Sequence, residues 1–176
     1  MDKFKELIKI NCFSNDTAEK QRAAEELEHH YNCEIHCTEI DSTVCFAHHA
    51  RGCVIVAAKI CSGVVIYQNV TIGSNMKYNK TTQEWENMGS PIIGENAIIC
   101  DGAKILGPII IGANSVIAAG AIITVDIPEN CIAYGVNQFR PKDENYDYVY
   151  NSHLPSTEDI VSIDKKLIAQ FKRELH

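Results

Sequence analysis

The sequence predicts a mainly β protein: a parallel β-helix with a short helical cap before it and one helix after it. Three observations carry this. An isoleucine falls on every sixth residue from Ile93 through Ile99, Ile105, Ile111, Ile117 and Ile123. Four residues after each comes a mostly small side chain: Ala97, Ala103, Ile109, Ser115, Ala121, Ile127. A period of six suits neither an α-helix nor a simple alternating strand. It suits a chain wound over three short flat faces per turn, with one side chain per face aimed at the axis.

The cap comes first. Phe4, Leu7, Ile8, Ala23, Ala24, Leu27 and Tyr31 lie at helical spacings within residues 1–32. Asp16 before Thr17 is the expected N-cap of a second helix.

The six-residue register extends backward from Ile93 through Ile72, Ile66 and Ile60, with Val70 and Val64 in the small-residue slot. Val54 with Ala58 continues it one step. Ile40 with Val44 and Phe46 with Ala50 keep the spacing but are offset by two residues, so a slip is expected around Gly52–Cys53, with an irregular corner at His48–His49. Sites are built at the irregular corners of regular scaffolds. The β-helix is expected over 33–135.

Between Ile72 and Ile93 the repeat stops. Residues 73–91 are polar, include Met76 and the sole tryptophan, Trp85, and are expected to form an extruded loop that docks on a neighbour. Residues 136–176 form a tail, irregular at first. It ends in an amphipathic helix on Ile160, Ile163, Leu167, Ile168, Phe171 and Leu175, started by Ser156 or Thr157 with Glu158 and Asp159 in its first turn. That helix is expected to pack on the coil or on another subunit.

The chain has 176 residues, 45% of them hydrophobic, enough for one domain with a real core. A net charge of -7 argues against a nucleic-acid or anionic-membrane surface. No apolar run reaches the roughly 20 residues of a membrane span, and no signal-like leader is visible, so a cytoplasmic location is expected. None of the eight cysteines forms a C-x-x-C pair. They read as reduced, semi-buried small hydrophobes.

Among the seven histidines, His29–His30 end a helix and His153 and His176 lie in tail segments. His48 and His49 stand out because they flank the irregular corner. A general base needs a pKa near neutrality and a group that fixes its tautomer. Glu34, fifteen residues before His49, is the carboxylate candidate, because stacked coils lie about 4.8 Å apart. A solvated histidine pair and a solvated Glu34 are the bland alternatives. A zinc site on His36, His48 and His49 lacks converging spacing, so no metal is expected. A nucleophilic Cys45 or Cys53 would need a positive neighbour and access.

Several words in the chain point to a family. They are Ile35-His36, Phe46-Ala-His-His49, Tyr67-Gln-Asn-Val-Thr-Ile-Gly73, Pro91-Ile-Ile-Gly94, Asp101-Gly-Ala-Lys-Ile-Leu-Gly107 and Ala133-Tyr-Gly-Val136. From about residue 33 to 136 the sequence resembles the hexapeptide-repeat acyltransferases, and among them the serine acetyltransferases most. The resemblance implies a left-handed parallel β-helix, a homotrimer, and acetyl-CoA as co-substrate. It implies that His49 is the catalytic base and that Glu34 stands where the family carries an orienting aspartate. It places the CoA arm along Ser74, Lys77, Asp101, Gly102, Ala119 and Gly120. The small residues among these leave room for a pantetheine arm, and Lys77 suits a phosphate.

Two departures concern the acceptor pocket. Ser90 replaces the family's loop histidine before the proline, and His48 replaces an aspartate before the catalytic histidine. Only some 32 residues precede the match, so the family's large N-terminal helical domain is not expected. The expectation is therefore direct acetyl transfer to an acceptor hydroxyl, that of a sugar or polysaccharide unit before any other small molecule. A true serine O-acetyltransferase and an inactive β-helix scaffold are the alternatives.

Overall fold

The computed structural model describes residues 2–150 and 154–174. His153, Leu175 and His176 lie outside the described residues.

Two helices open the chain, α1 (Lys3–Phe13) and α2 (Thr17–Glu26). The Asp2 side chain caps α1 by accepting from the Phe4 N–H, and Asp16 caps α2 by accepting from the Ala18 and Glu19 N–H groups. A wider turn over Leu27–Tyr31 follows and stops at Asn32, which adopts the left-handed conformation (φ 53°) that asparagine tolerates.

The chain then winds. The first coils contain β1 (Glu34–Ile40), β2 (Cys45–Phe46), β3 (Val54–Ile60), β4 (Val65–Ile66) and β5 (Thr71–Gly73). An antiparallel arm interrupts them, formed by β6 (Met76–Asn79) and β7 (Glu84–Asn87). The later coils contain β8 (Ile92–Ile93), β9 (Ile98–Ile99), β10 (Lys104–Leu106), β11 (Ile110–Ile111), β12 (Val116–Ile117) and β13 (Ile122–Ile123). A closing hairpin pairs β14 (Cys131–Tyr134) with β15 (Gln138–Pro141).

All strand pairs between coils are parallel. One face runs β1–β3–β5–β10–β13, a second continues from the C-terminal end of β3 to β8 and β11, and a third runs β2–β4–β9–β12–β14. Ile92↔Ile110, Ile98↔Val116 and Lys104↔Ile122 are each 18 residues apart, one coil of three hexapeptides. The six isoleucines of the repeat are all fully buried, stacked along the axis. Each fully buried isoleucine contributes roughly 1.5–3 kcal/mol over an exposed one.

The corners have their own chemistry. Ser115 occupies the small-residue slot, fully buried, and its hydroxyl donates to the Pro128 carbonyl (2.8 Å) and accepts from the Cys131 N–H (3.3 Å). At Gly112 a Cβ would lie 2.3 Å from the Glu129 amide nitrogen, so no side chain fits there.

Three expectations differ from the structure. The inward residues of β3 are Ile55, Ala57 and Ile60, while Val54 is 42% exposed. The slip is thus absorbed inside one long strand that rounds a corner. Residues 73–91 carry a paired arm rather than a plain loop, because Tyr78 and Trp85 face each other across it with ring centroids 5.5 Å apart. Residues 136–155 are not wholly irregular, since β15 returns antiparallel along β14. The final helix, α3 (Thr157–Glu174), carries exposed apolar residues. No helix among the described residues is long and apolar enough to cross a membrane.

Candidate active site

The corner between β2 and β3 is the most unusual backbone in the coil. His48, His49 and Ala50 have φ of 54°, 53° and 54°, three consecutive non-glycine residues in the left-handed region. Each such residue costs of order 1 kcal/mol or more, and such strain collects at functional sites. The turn drives Ala50 into the core and leaves His48 and His49 exposed. It closes with the Arg51 N–H on the His48 carbonyl (3.3 Å) and the Cys53 N–H on the Ala50 carbonyl (2.9 Å).

The helical cap supports His49. Its ring meets Phe4 edge-on (5.6 Å, 90°) and lies tilted against Tyr31 (5.8 Å, 42°). Phe4 in turn packs on Tyr31 and Phe46. Cys12 and Cys37 meet where α1 packs on β1. The hydrogen bond from Cys37 holds the Cys12 thiol down at about 7 and pushes the Cys37 thiol up.

Hydrogen bonds stack this corner with those of the later coils. The Gly52 N–H donates to Asn32 O, Asn69 N–H to Arg51 O, Gly102 N–H to Gln68 O, and Gly120 N–H to Asp101 O. The Asn69 amide also donates to the Asp101 carboxylate (3.0 Å), and Lys104 Nζ donates to Asn69 O and Thr71 Oγ1. His48, His49, Asp101, Gly102, Ala119 and Gly120 therefore share one edge of the β-helix.

Ser74, Lys77 and Ser90 lie elsewhere. They stand at the base of the arm, past the opposite end of β5, where Gly107 N–H meets Gly73 O and Asn75 N–H meets Gly89 O. Lys77 is exposed on β6 opposite Glu86. The length of β5, roughly 10 Å for three residues, separates the two groups within a single chain.

Glu34 does not sit under His49. The first coil spans 20 residues, so the register sets Glu34 beside Val54. The extra residues are taken up by the His48–Arg51 turn. Glu34 is exposed, and among the described residues its side chain makes no hydrogen bond or ion pair with His49. The two residues still flank the same Asn32–Gly52 corner.

The structure adds residues that the sequence did not suggest. The tail from Lys142 to Tyr150 folds back over the outward face of β4, β9 and β12, covering Val65, Ile98 and Val116. Tyr150 meets Tyr67 edge-on at 5.8 Å, and Lys142 is held by Asp147 at 2.7 Å. Between tail and coil lies a groove of about 660 Å³, whose lining includes Gln68, Asp101, Ala119, Lys142, Tyr146 and Tyr148. The Gln68 Oε1 is buried in it without a hydrogen-bond partner among the described residues. Burial, and then the hydrogen bond to Tyr148, push the Tyr67 hydroxyl up to about 12. The visible signal was the alternation Tyr146, Tyr148, Tyr150.

The cysteines match the expectation of reduced, buried or half-buried thiols, and Cys53 does not suit a nucleophile. All eight cysteines are free thiols. Cys53 is fully buried, its Sγ bonded to Tyr67 O (3.2 Å), and burial raises its thiol. No group of three potential metal ligands converges among the described residues.

Comparison with known proteins fits this architecture. A family model described as bacterial transferase hexapeptide (six repeats) matches residues 90–124. A putative serine acetyltransferase of Schizosaccharomyces pombe is 38% identical over 106 residues, 60% of this chain and 37% of that protein. The serine acetyltransferase of Mycobacterium tuberculosis is 36% identical over 105 residues, 58% of this chain and 42% of that one. The chain thus spans about two fifths of the curated relatives it matches. Among solved structures, a serine acetyltransferase in complex with cysteine superposes with a TM-score of 0.63 at 26% identity, over 76% of this chain and 50% of the other. One in complex with CoA gives 0.59 at 25% identity, over 75% and 52%. The chain is therefore a hexapeptide-repeat parallel β-helix that is similar, in sequence and in fold, to serine acetyltransferases.

Proposed function

We propose that this protein transfers the acetyl group of acetyl-CoA to the hydroxyl of serine. The observation that carries the reading is the strained corner that presents His49, stacked on Phe4 and Tyr31, at the edge shared with Asp101, Gly102, Ala119 and Gly120. Neutral His49 takes the proton of the acceptor hydroxyl as that oxygen attacks the thioester carbonyl. The C–S bond then breaks, and the proton passes from the imidazolium to the departing CoA thiolate. Glu34 flanks the same corner and, among the described residues, makes no hydrogen bond to His49, so orientation of the ring falls to Phe4 and Tyr31. A backbone N–H of the edge is suited to the oxyanion.

The donor is assigned to the groove under the tail. Gln68 Oε1 there lacks a donor, and the pantetheine arm of CoA carries amide N–H groups. Tyr146 and Tyr148 supply aromatic walls, and Ala119 leaves space beside the backbone. The solved serine acetyltransferase that carries CoA supports acetyl-CoA as the donor.

The acceptor is where the sequence-based expectation shifts. Ser90 and His48 suggested a saccharide hydroxyl, whereas the relatives and structural neighbours favour serine. The corner supplies a matching group. Arg51 is exposed two residues after His49, and a guanidinium binds a carboxylate in bidentate fashion. We assign it to the serine α-carboxylate, which a neutral sugar lacks.

The two groups of candidate residues lie on separate edges of one chain. A homotrimer with the His49 edge of one copy against the Ser74–Ser90 edge of the next brings them together. A panel of L-serine, neutral sugars and nucleotide sugars, assayed with acetyl-CoA by mass spectrometry, tests the acceptor. O-acetylserine as the main product supports the reading. Acetylated sugar with no O-acetylserine overturns it.

A further inference from the structure

Two of the eight thiols meet away from the His49 corner. Cys12 stands in the last turn of α1 and Cys37 in the middle of β1, where helix and strand pack together. The Cys37 thiol hydrogen-bonds to the Cys12 sulfur. Cys12 Sγ also donates to the carbonyl of Ile35 (3.6 Å), two residues before Cys37. The buried Asn11 amide donates to the same carbonyl (2.7 Å), so this end of α1 is fixed against this part of β1.

The two thiols are unequal. Cys37 is buried in the core, whereas Cys12 is half-buried and open to a small solute. The hydrogen bond from Cys37, helped by the charge of Lys20, makes Cys12 a thiolate near neutral pH, while Cys37 stays protonated. An accessible thiolate beside a second thiol is the arrangement that reacts with a peroxide and then closes on its neighbour. Cys33 and Cys53 are the contrast. They too are neighbours, but both are buried and burial raises both thiols. Their sulfurs are also taken up by the carbonyls of Leu27 and Tyr67. That pair offers an oxidant no thiolate.

We propose that Cys12 and Cys37 form a reversible, hydroperoxide-driven disulfide that braces the helical cap on the first coil. The Cys12 thiolate attacks an oxygen of the hydroperoxide and the O–O bond breaks. Cys12 becomes a sulfenic acid, and the departing alkoxide takes up the proton that Cys12 had released. The Cys37 sulfur then attacks the Cys12 sulfur, the S–O bond breaks, and the hydroxyl leaves as water with the Cys37 proton. The two thiols lose two electrons, and the hydroperoxide is reduced to an alcohol and water. The closed loop restricts the unfolded chain and ties down the helix that carries Phe4. The inference does not rest on the acetyl-transfer reading.

The test treats the reduced full chain with tert-butyl hydroperoxide and maps its thiols by differential alkylation and mass spectrometry. The expected product is lighter by two hydrogens, carries a crosslink between the Cys12 and Cys37 peptides, and reverts with dithiothreitol. Its urea midpoint is expected above that of the reduced chain. Cys37→Ser, verified as folded by circular dichroism, is expected to stop at a Cys12 sulfenic acid that dimedone traps. Cys12→Ser is expected to leave Cys37 unmodified. The wild-type crosslink decides the matter even where a serine variant does not fold. The proposal is overturned if both thiols stay free at a peroxide dose that oxidises cysteine in solution, or if the crosslink joins other cysteines or two chains. It is equally overturned if the bridged chain unfolds at the same or a lower urea midpoint than the reduced one, or if folded Cys37→Ser gives no dimedone adduct at Cys12.

Discussion

The His49 ring stands edge-on to Phe4, centroids 5.6 Å apart and planes at 90°. The base proposed for catalysis is thus held by the first helix of the chain, through a side chain only 2% exposed. Replacing Phe4 should act on both stability and turnover. Phe4→Ala is expected to cost about 3–5 kcal/mol, seen as a lower denaturant midpoint. Phe4→Leu keeps most of the buried volume and should lose turnover by more than its smaller stability loss explains.

The left-handed corner gives a second expectation. His48 has φ 54° and ψ 31°, which asparagine tolerates and a β-branched residue does not. His48→Asn should melt within a degree or two of the wild type. His48→Val should be destabilised by about 1–3 kcal/mol, measured by thermal denaturation.

Arg51 is expected to act on acceptor binding alone. Arg51→Gln should raise KM for serine about tenfold, the scale of a lost charge-assisted hydrogen bond of about 1.5 kcal/mol, and leave KM for acetyl-CoA unchanged. Steady-state kinetics with each substrate varied in turn would show the split. An equal rise in both constants would place Arg51 outside the acceptor pocket.

Tyr67 sets a pH limit on the folded tail. Its hydroxyl, ordinarily near 10, is raised to about 12 by burial and by Tyr148. A raised folded pKa means that the unfolded chain loses its proton first. The stability linked to the neutral phenol is therefore complete below pH 10 and lost as pH rises toward 12. Chemical denaturation across that window should show the decline, and Tyr67→Phe should flatten it.

Much of the fold was written in the repeat. Every sixth residue from Ile93 to Ile123 is an isoleucine that points inward, as a coil of three six-residue faces requires. The slip in β3 was harder to place, since Val54, Ile55 and Val56 are all apolar and β-branched and periodicity cannot choose among them. The arm was hard to read because its strands, Met76–Asn79 and Glu84–Asn87, are only four residues each and the second offers a single large apolar side chain, Trp85. At the site, His48–His49 was visible as a break in register. Its support by Phe4 was not, since that contact joins residues 45 positions apart. The length of the first coil was equally invisible, which is why Glu34 was expected beneath His49 and stands beside Val54 instead.

The most direct test of the central claim compares wild type and His49→Ala for O-acetylserine formed from acetyl-CoA and L-serine, with CoA binding measured by calorimetry on both. The account predicts a loss of turnover of about 10²- to 10⁴-fold with CoA affinity retained. A His49→Ala protein that makes O-acetylserine at the wild-type rate would contradict it.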